Sequence, residues 1–228
     1  MQMQAPFVVV ANLLGDPARA LMINAMMDGR AHAASDLAQA AGISRQTASA
    51  HFARLLDGGL VRVEAEGRQR RYRLANAQVA EAIEALTVIA AEAPGARPPA
   101  RHILAGARTC YDHLAGRLGV AIARVLVARG MLVRAHEGFE LAAHGKRFLG
   151  ERIGVDVETA LSARRAFARA CLDWTEREPH LAGALGAAVA RRCFDAGWVR
   201  QKPHSRALLI TNAGRTVFKR EFGLGEIA

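Results

Sequence analysis

Residues 34–74, ASDLAQAAGISRQTASAHFARLLDGGLVRVEAEGRQRRYRL, restrict the N-terminal part of this chain to a narrow set of folds. They read as a helix, a tight turn, a second helix and a short basic hairpin. Leu37, Ala38 and Ala41 lie at helical spacing behind Ser35 and Asp36, and Gly42 provides the left-handed residue that ends a helix. Ile43 plugs the turn, and Ser44 is placed to cap the next helix through its hydroxyl. On that helix Ala48, Phe52, Leu55 and Leu56 form one apolar stripe, while Arg45, Gln46, Thr47, Ser49, His51 and Arg54 occupy the other face. Short polar side chains and arginines with few acids suit a helix that enters a major groove. After Gly58-Gly59, alternation predicts strands over 60–65 and 70–74, with Arg68, Arg70 and Arg71 around the turn at 66–69.

These residues resemble the ArsR/SmtB winged-helix repressors of bacteria. The matching pieces are Asp36-Leu37-Ala38, Gly42-Ile43-Ser44, Thr47 through Phe52, Leu55, Gly58-Gly59-Leu60-Val61 and Gly67-Arg68 through Tyr72. Upstream, Leu13 through Arg19 looks like the family's first helix, with Asp16 as cap and Pro17 at the first helical position. The resemblance spans roughly residues 8–92 and implies a dimeric DNA-binding regulator. It also implies metal sites, yet Ala33 and Ser35 stand where the family's paired cysteines would be. The segment 78–93 holds Glu81, Glu84 and Glu92 but no histidine, so the family's second site is missing as well. Contacts with a second copy are expected on the apolar helix 13–27 and on the amphipathic helix 79–91, through Ile83, Leu86, Ile89 and Ala90.

A length of 228 residues accommodates two domains, and 93–100 (APGARPPA) reads as a proline-stiffened linker. The net charge of +10 is unevenly placed. Residues 1–92 hold nine arginines and nine acids, whereas 93–228 hold 22 Lys and Arg against 12 acids. Within 44–73, seven arginines face three acids, so the local field still favours phosphate. The basic C-terminal half either adds long-range attraction to DNA or is simply a solvated arginine-rich surface. No apolar stretch reaches the roughly 18–20 residues of a membrane span, and MQMQAPFVVV lacks the features of a signal peptide. Three widely spaced cysteines argue for a reducing compartment, so a cytoplasmic protein is expected.

The second half contains a repeat. Residues 113–124, HLAGRLGVAIAR, match 180–191, HLAGALGAAVAR, at nine of twelve positions with an offset of 67. Each copy continues into a hairpin (132–142, turning near Glu137-Gly138, and 199–210, turning near His204-Ser205) and then another helix. The expected first helices, 114–129 and 181–196, are rich in Ala, Gly, Leu and Val, which suits close packing rather than DNA reading. Two copies of this size suggest a pair of winged-helix-like repeats, about 101–155 and 168–224, enclosing an effector cleft.

Sensor chemistry is then expected in this half. Cys110 and His113 are spaced i, i+3, on one face of an expected helical turn, and Cys171 and His180 supply a second thiol and imidazole. Together the four form an N/S donor set suited to zinc or another thiophilic ion, and the two thiols are also candidates for oxidation. The alternative is that these are buried structural side chains. Cys193 aligns with Leu126 and reads as core, and Tyr111, Phe139, Trp174 and Trp198 are either core anchors or the lining of an organic-effector pocket.

The chain is therefore expected to be mostly α with small β-hairpins (α+β). Its domains would be a winged helix-turn-helix at 1–92, a linker at 93–100 and a duplicated effector and dimerisation domain at 101–228. The function expected is a homodimeric transcriptional repressor, released from double-stranded operator DNA by a metal, oxidant or small-molecule effector. Gln46, Thr47, Ser49 and His51 would read bases, Ser44, Arg45 and Arg54 would hold phosphates, and Arg68, Arg70 and Arg71 would track the backbone. The second reading is a metal- or thiol-handling protein whose winged helix serves only assembly. An enzyme is not expected, since the sequence carries no phosphate loop, nucleophile elbow or metalloprotease helix.

Overall fold

Proline at a first helical position and an aspartate just before it determine how the chain begins. In the computed structural model, which describes residues 5, 7–67, 69–93, 103–136, 138–203 and 205–225, α1 (Phe7–Leu14) breaks at Gly15 and α2 (Pro17–Met26) starts afresh. Asp16 caps α2 by accepting the Arg19 backbone N–H at 2.9 Å, and this bond holds its carboxyl below the usual range. Arg19, itself buried, donates to the carbonyls of Leu13 at 2.6 Å and Asn12 at 2.8 Å, satisfying the last turn of α1. The expected helix 13–27 is thus two elements. Met22, Ile23, Met26 and Met27 of its second part are fully buried, so the partner surface assigned to them is instead core. Exposed apolar side chains lie on α1, where Phe7, Val9 and Val10 face solvent.

The contacts of the chain divide it into Met1–Ile83 and Glu84–Ala228. In the first unit, β1 (His32–Ala33), α3 (Ala34–Ala40), α4 (Arg45–Asp57), β2 (Val61–Glu66) and β3 (Gln69–Leu74) complete a winged helix-turn-helix. The sheet order is β1-β3-β2, antiparallel, with Val63 opposite Tyr72 and His32 on the other side of Tyr72. Leu37, Ala38, Ala48, Phe52, Leu55 and Leu74 fill the core, and Phe52 stacks on Tyr72 with ring centroids 3.9 Å apart. The two-residue β1 has no alternation to announce it.

α5 (Ala77–Glu92) begins in the first unit and ends in the second. The units part inside this helix rather than at its end because Glu84 is buried and paired with Arg206 at 2.7 Å. Most of the proline-rich linker, Arg68 at the wing tip, Glu137 and His204 lie outside the described residues.

The second unit contains two runs with the same order of elements. After α6 (Ile103–Gly106), the first run is hairpin β4 (Arg108–Cys110)/β5 (His113–Ala115), α7 (Gly116–Ala128) and hairpin β6 (Leu132–Ala135)/β7 (Gly138–Leu141). It closes with α8 (Ala143–Arg147), continued as a wider π-type turn over Phe148–Ile153. After α9 (Val157–Leu161), the second run is β8 (Arg169–Leu172)/β9 (Pro179–Ala182), α10 (Gly183–Asp195), β10 (Val199–Gln201)/β11 (Leu208–Ile210) and α11 (Asn212–Phe222). The repeated leucines at 114 and 181 open no helix; they are strand residues.

The runs are interlocked. Hairpin β8/β9 joins the sheet of β6/β7 through Gly138 opposite Arg169, in the order β6-β7-β8-β9. Reciprocally, Arg108 of the first hairpin bridges to Ala207 beside β11. Arg192 of α10 donates to the Ile153 carbonyl and Arg129 at the end of α7 donates to the Glu221 carbonyl, each at 2.7 Å. Each run therefore satisfies the closing helix of the other. Leu118, Ile122 and Leu126 of α7 pack with Leu185, Val189 and Cys193 of α10 in one core with Trp198, Phe218 and Phe222.

This interlock needs small residues and one buried ion pair. Gly183 sits at φ +78, where an added Cβ would lie 2.6 Å from the Ala166 carbonyl oxygen. Asp173 and Arg108, both wholly buried, are 3.0 Å apart. Asp173 also accepts from the backbone N–H of Gly116, Thr175 and Glu176, and Trp174 lies against the Arg108 guanidinium at 4.9 Å from the ring centroid.

Gly183→Ala combines left-handed strain with overpacking and should cost about 2–4 kcal/mol. Gly197→Ala, at φ +65 with open space around it, carries only the strain and should cost about 1–2 kcal/mol. Asp173→Asn leaves Arg108 buried without its carboxylate and should cost about 3–5 kcal/mol. Denaturant midpoints of the three variants test this ranking, and equal losses for Gly183→Ala and Gly197→Ala would contradict the steric account.

Candidate functional site

The exposed surface of the first unit is prepared by its N-cap. Ser44 Oγ accepts the Thr47 backbone N–H at 3.1 Å and lies 2.8 Å from Thr47 Oγ1, which starts α4 with its polar face outward. Ser44, Arg45, Gln46, Thr47, Ser49 and Arg54 are all exposed, while Ala48, Phe52 and Leu55 anchor the opposite side. Ser49 Oγ bonds back to the Arg45 carbonyl at 3.1 Å.

Two residues expected on this surface are turned elsewhere. The His51 side chain is only 15% exposed; its Nδ1 lies 3.5 Å from Arg19 Nη1 and 3.7 Å from Asp16. It closes the α1–α2 corner and does not join the outward face. Arg71 is half-buried and donates to the Ala31 carbonyl at 3.4 Å, because the unrecognised β1 lies beside it. Arg70 is exposed on the wing. Arg62 and Arg73 both pair with Glu64, at 3.1 and 3.3 Å, so that Arg45, Arg54 and Arg70 are exposed outside this pairing while Arg62 is exposed but paired.

In the second unit, Cys110, His113, Cys171 and His180 converge. Their candidate ligand atoms all lie within 4.8 Å of one another and all four residues are buried. The local geometry is not the helical turn expected from spacing. Cys110 faces His113 across hairpin β4/β5, and Cys171 faces His180 across hairpin β8/β9. Tyr111 makes the first reversal possible by adopting φ +59. The Cys110 and Cys171 sulfurs are 3.9 Å apart, and the two histidine Nε2 atoms are 3.2 Å apart.

Each imidazole has a carboxylate behind it. Asp112 Oδ1 lies 3.3 Å from His113 Nδ1 and is itself held by Arg165. Asp173 Oδ2 lies 3.5 Å from His180 Nδ1, an electrostatic contact without hydrogen-bond geometry. The hydrogen bond between the sulfurs raises the Cys110 thiol, reinforced by burial, and draws Cys171 down, helped by His113 and His180. Burial disfavours the charged form of His113, but Asp112 and Cys171 outweigh it and raise its pKa to about 9. Cys110 is therefore held as the thiol and His113 as the imidazolium while Cys171 is drawn toward the thiolate, so a metal would have to displace protons from Cys110 and His113 to use all four as donors.

Two spaces differ in what they could admit. The cavity between α7 and α10, among Leu114, Gly119, Ile122, Leu181, Gly186 and Val189, measures about 10 Å³, no more than one water needs. An open groove of about 520 Å³ lies where β7 meets β8, lined by Ala135, Gly138, Phe139, Phe167 and Arg169, a size within the range of small-molecule sites. Trp198 packs edge-on against Phe218, whereas Trp174 covers Arg108, so these aromatics belong to separate surroundings.

Residues 14–64 match the helix-turn-helix domain HTH_20. The HTH-type transcriptional regulator YdfF of Bacillus subtilis strain 168 is 42% identical over 218 residues, covering 94% of this chain and 96% of its own. Among solved structures, the homodimeric winged helix-turn-helix DNA-binding domain of Mb0332 from Mycobacterium bovis, a possible ArsR-family transcriptional regulator, is 29% identical. It covers 40% of this chain and 92% of its own, with a TM-score of 0.36. NolR from Sinorhizobium fredii is 22% identical and covers 41% of this chain and 100% of its own, with a TM-score of 0.35. With its winged helix in place and a 42% identical match to YdfF over nearly the full length of both chains, the chain belongs to the helix-turn-helix transcriptional regulators.

Proposed function

We propose that this regulator acts as a homodimeric, sequence-specific repressor whose release from operator DNA is controlled through the second unit. The observation that carries the reading is the outward polar face of α4, with Gln46, Thr47 and Ser49 exposed between Arg45 and Arg54. Gln46 offers a bidentate amide to base edges, Thr47 and Ser49 offer hydroxyls, and Ser44, Arg45 and Arg54 hold phosphates. Arg70 extends that hold from the wing, and the adjacent Arg68 belongs to the same basic turn in sequence. His51 serves as a brace for α1–α2, and Arg71 as a tie to β1.

A dimer gives one short recognition helix two half-sites to read. Exposed apolar groups suited to a second copy are Phe7, Val9 and Val10 on α1 and Leu86 and Ile89 on α5; Ile89 is 64% exposed. Among the described residues no single helix is long and apolar enough to cross a membrane.

Fluorescence anisotropy with the DNA upstream of the gene tests this reading. Gln46→Ala should lose about 1–3 kcal/mol of discrimination at one base position, whereas Arg70→Ala should weaken all sequences evenly and lower the salt slope by about 1. His51→Ala should keep the sequence preference. Sequence-blind binding that is insensitive to salt and unaltered by Gln46→Ala and Arg70→Ala would overturn the proposal in favour of a winged helix used only for assembly. Ile89→Glu should shift sedimentation toward monomer and weaken operator binding at least tenfold; an unchanged dimer removes α5 from the interface.

A further inference from the structure

We propose that Cys110, His113, Cys171 and His180 form a closed four-coordinate site for a thiophilic divalent metal ion, with Zn²⁺ the best fit, and that this ion is the effector. The coordination half stands on this cluster alone; the effector half rests on the DNA-binding reading above.

The two like pairs of donor atoms already have the spacing of a coordination shell, and all four donors lie within 4.8 Å of one another. Zinc at about 2.3 Å from sulfur and 2.0–2.1 Å from nitrogen, in tetrahedral geometry, places two sulfurs about 3.8 Å apart and two nitrogens about 3.3 Å apart. The sulfurs here are 3.9 Å apart and the Nε2 atoms 3.2 Å apart. A disulfide instead requires about 2.05 Å between sulfurs, so the thiols would have to close by almost half their separation.

Three further observations point the same way. Both Nε2 atoms face inward while Asp112 and Asp173 lie on the Nδ1 sides; the Asp112 hydrogen bond keeps a proton on His113 Nδ1 and so leaves Nε2 for a metal once the ring is neutral. Two thiolates neutralise a divalent ion, which suits a site whose four donors are all buried. Each donor pair comes from a different run, one Cys and one His per hairpin, so an ion would tie the two hairpins together. This donor set differs from both of the positions that the resemblance to ArsR/SmtB repressors implies, where Ala33, Ser35 and the histidine-free segment 78–93 stand.

The connection to regulation runs through short, buried contacts. Thr109, next to Cys110, donates its backbone N–H to the Arg206 carbonyl at 3.0 Å, and Arg206 pairs with Glu84 on α5. Ligation of Cys110 therefore bears, through Thr109 and Arg206, on Glu84 of α5 within the second unit.

The test titrates the reduced full-length chain with Co²⁺ and then displaces it with Zn²⁺. One equivalent per chain should give tetrahedral ligand-field bands and sulfur-to-metal charge transfer, both bleached by Zn²⁺. Cys110→Ser and Cys171→Ser should lose the charge-transfer intensity and bind at least 100-fold more weakly. Asp112→Asn, which leaves all four donors in place, should keep the spectrum and weaken binding 10–100-fold. Circular dichroism identifies any variant that fails to fold. Absence of the charge-transfer band in the folded wild type, uptake unchanged in the double cysteine variant, or formation of a Cys110–Cys171 disulfide instead of metal uptake overturns the coordination half.

Operator affinity with and without Zn²⁺ tests the effector half. It should change at least tenfold in the wild type and not at all in Cys171→Ser. Equal affinities in a metal-binding wild type make the ion structural and overturn the effector half. Loss of specific DNA binding in both forms removes the regulator reading along with the effector half, while the coordination half stands on its spectrum.

Discussion

The second unit depends on an exchange between its two runs of elements. Each opening hairpin pairs with strands of the other run, through Arg108 opposite Ala207 and Gly138 opposite Arg169. Neither run completes its own sheet, and Arg129 and Arg192 cap each other's closing helices in the same reciprocal way. The buried Arg108–Asp173 pair links the opening strand of one run to the loop that follows the opening strand of the other. A buried ion pair of this kind adds little net stability over apolar packing, but breaking it is costly. It lies where the two hairpins meet, the same junction that brings His113 to His180 and Cys110 to Cys171.

The first unit solves a different problem, concentrating a basic field on a stretch, Met1–Ile83, that holds nine arginines against seven acids. Glu64 takes up Arg62 and Arg73, and the Ala31 carbonyl takes up Arg71, so the exposed arginines on α4 and the wing are few and localised. Exposed phosphate contacts are screened by salt and reward proximity. A few arginines close to one polar helix face therefore concentrate positive potential there rather than spreading it over the surface.

Much of the DNA-reading unit is legible in the sequence. Gly42, Ser44 and Pro17 announce a left-handed stop, a cap and a first helical residue, and the structure has all three. These signals are local, since each concerns hydrogen bonds within a few residues. Helical periodicity misplaces His51 because it tells which residues share a face but not what stands opposite; Arg19 and Asp16 come from an earlier element. Arg71 is misplaced for the same reason, since β1 has only two residues and no alternation. Loop length obscures the cysteine pairs. His113 and His180 keep the offset of 67, but Cys110 and Cys171 are offset by 61, because 172–179 is longer than 111–112. The shared Arg-x-Cys before each His-Leu-Ala-Gly (108–110 and 169–171) is the signal that marks them as equivalent.

The sequence alone determined the winged helix-turn-helix, the apolar and polar faces of α4, the recurrence of His-Leu-Ala-Gly and the four residues worth watching as donors. Caps, turns and periodicity act over a handful of residues, so they survive reading along a line. Only the tertiary structure decided that Cys110 faces His113 across a hairpin, that the two hairpins meet, and that the space between α7 and α10 is too small for an organic molecule. Those results depend on strand exchange between segments distant in the chain, and pairing over that distance is set by the packing of the whole unit rather than by any local pattern.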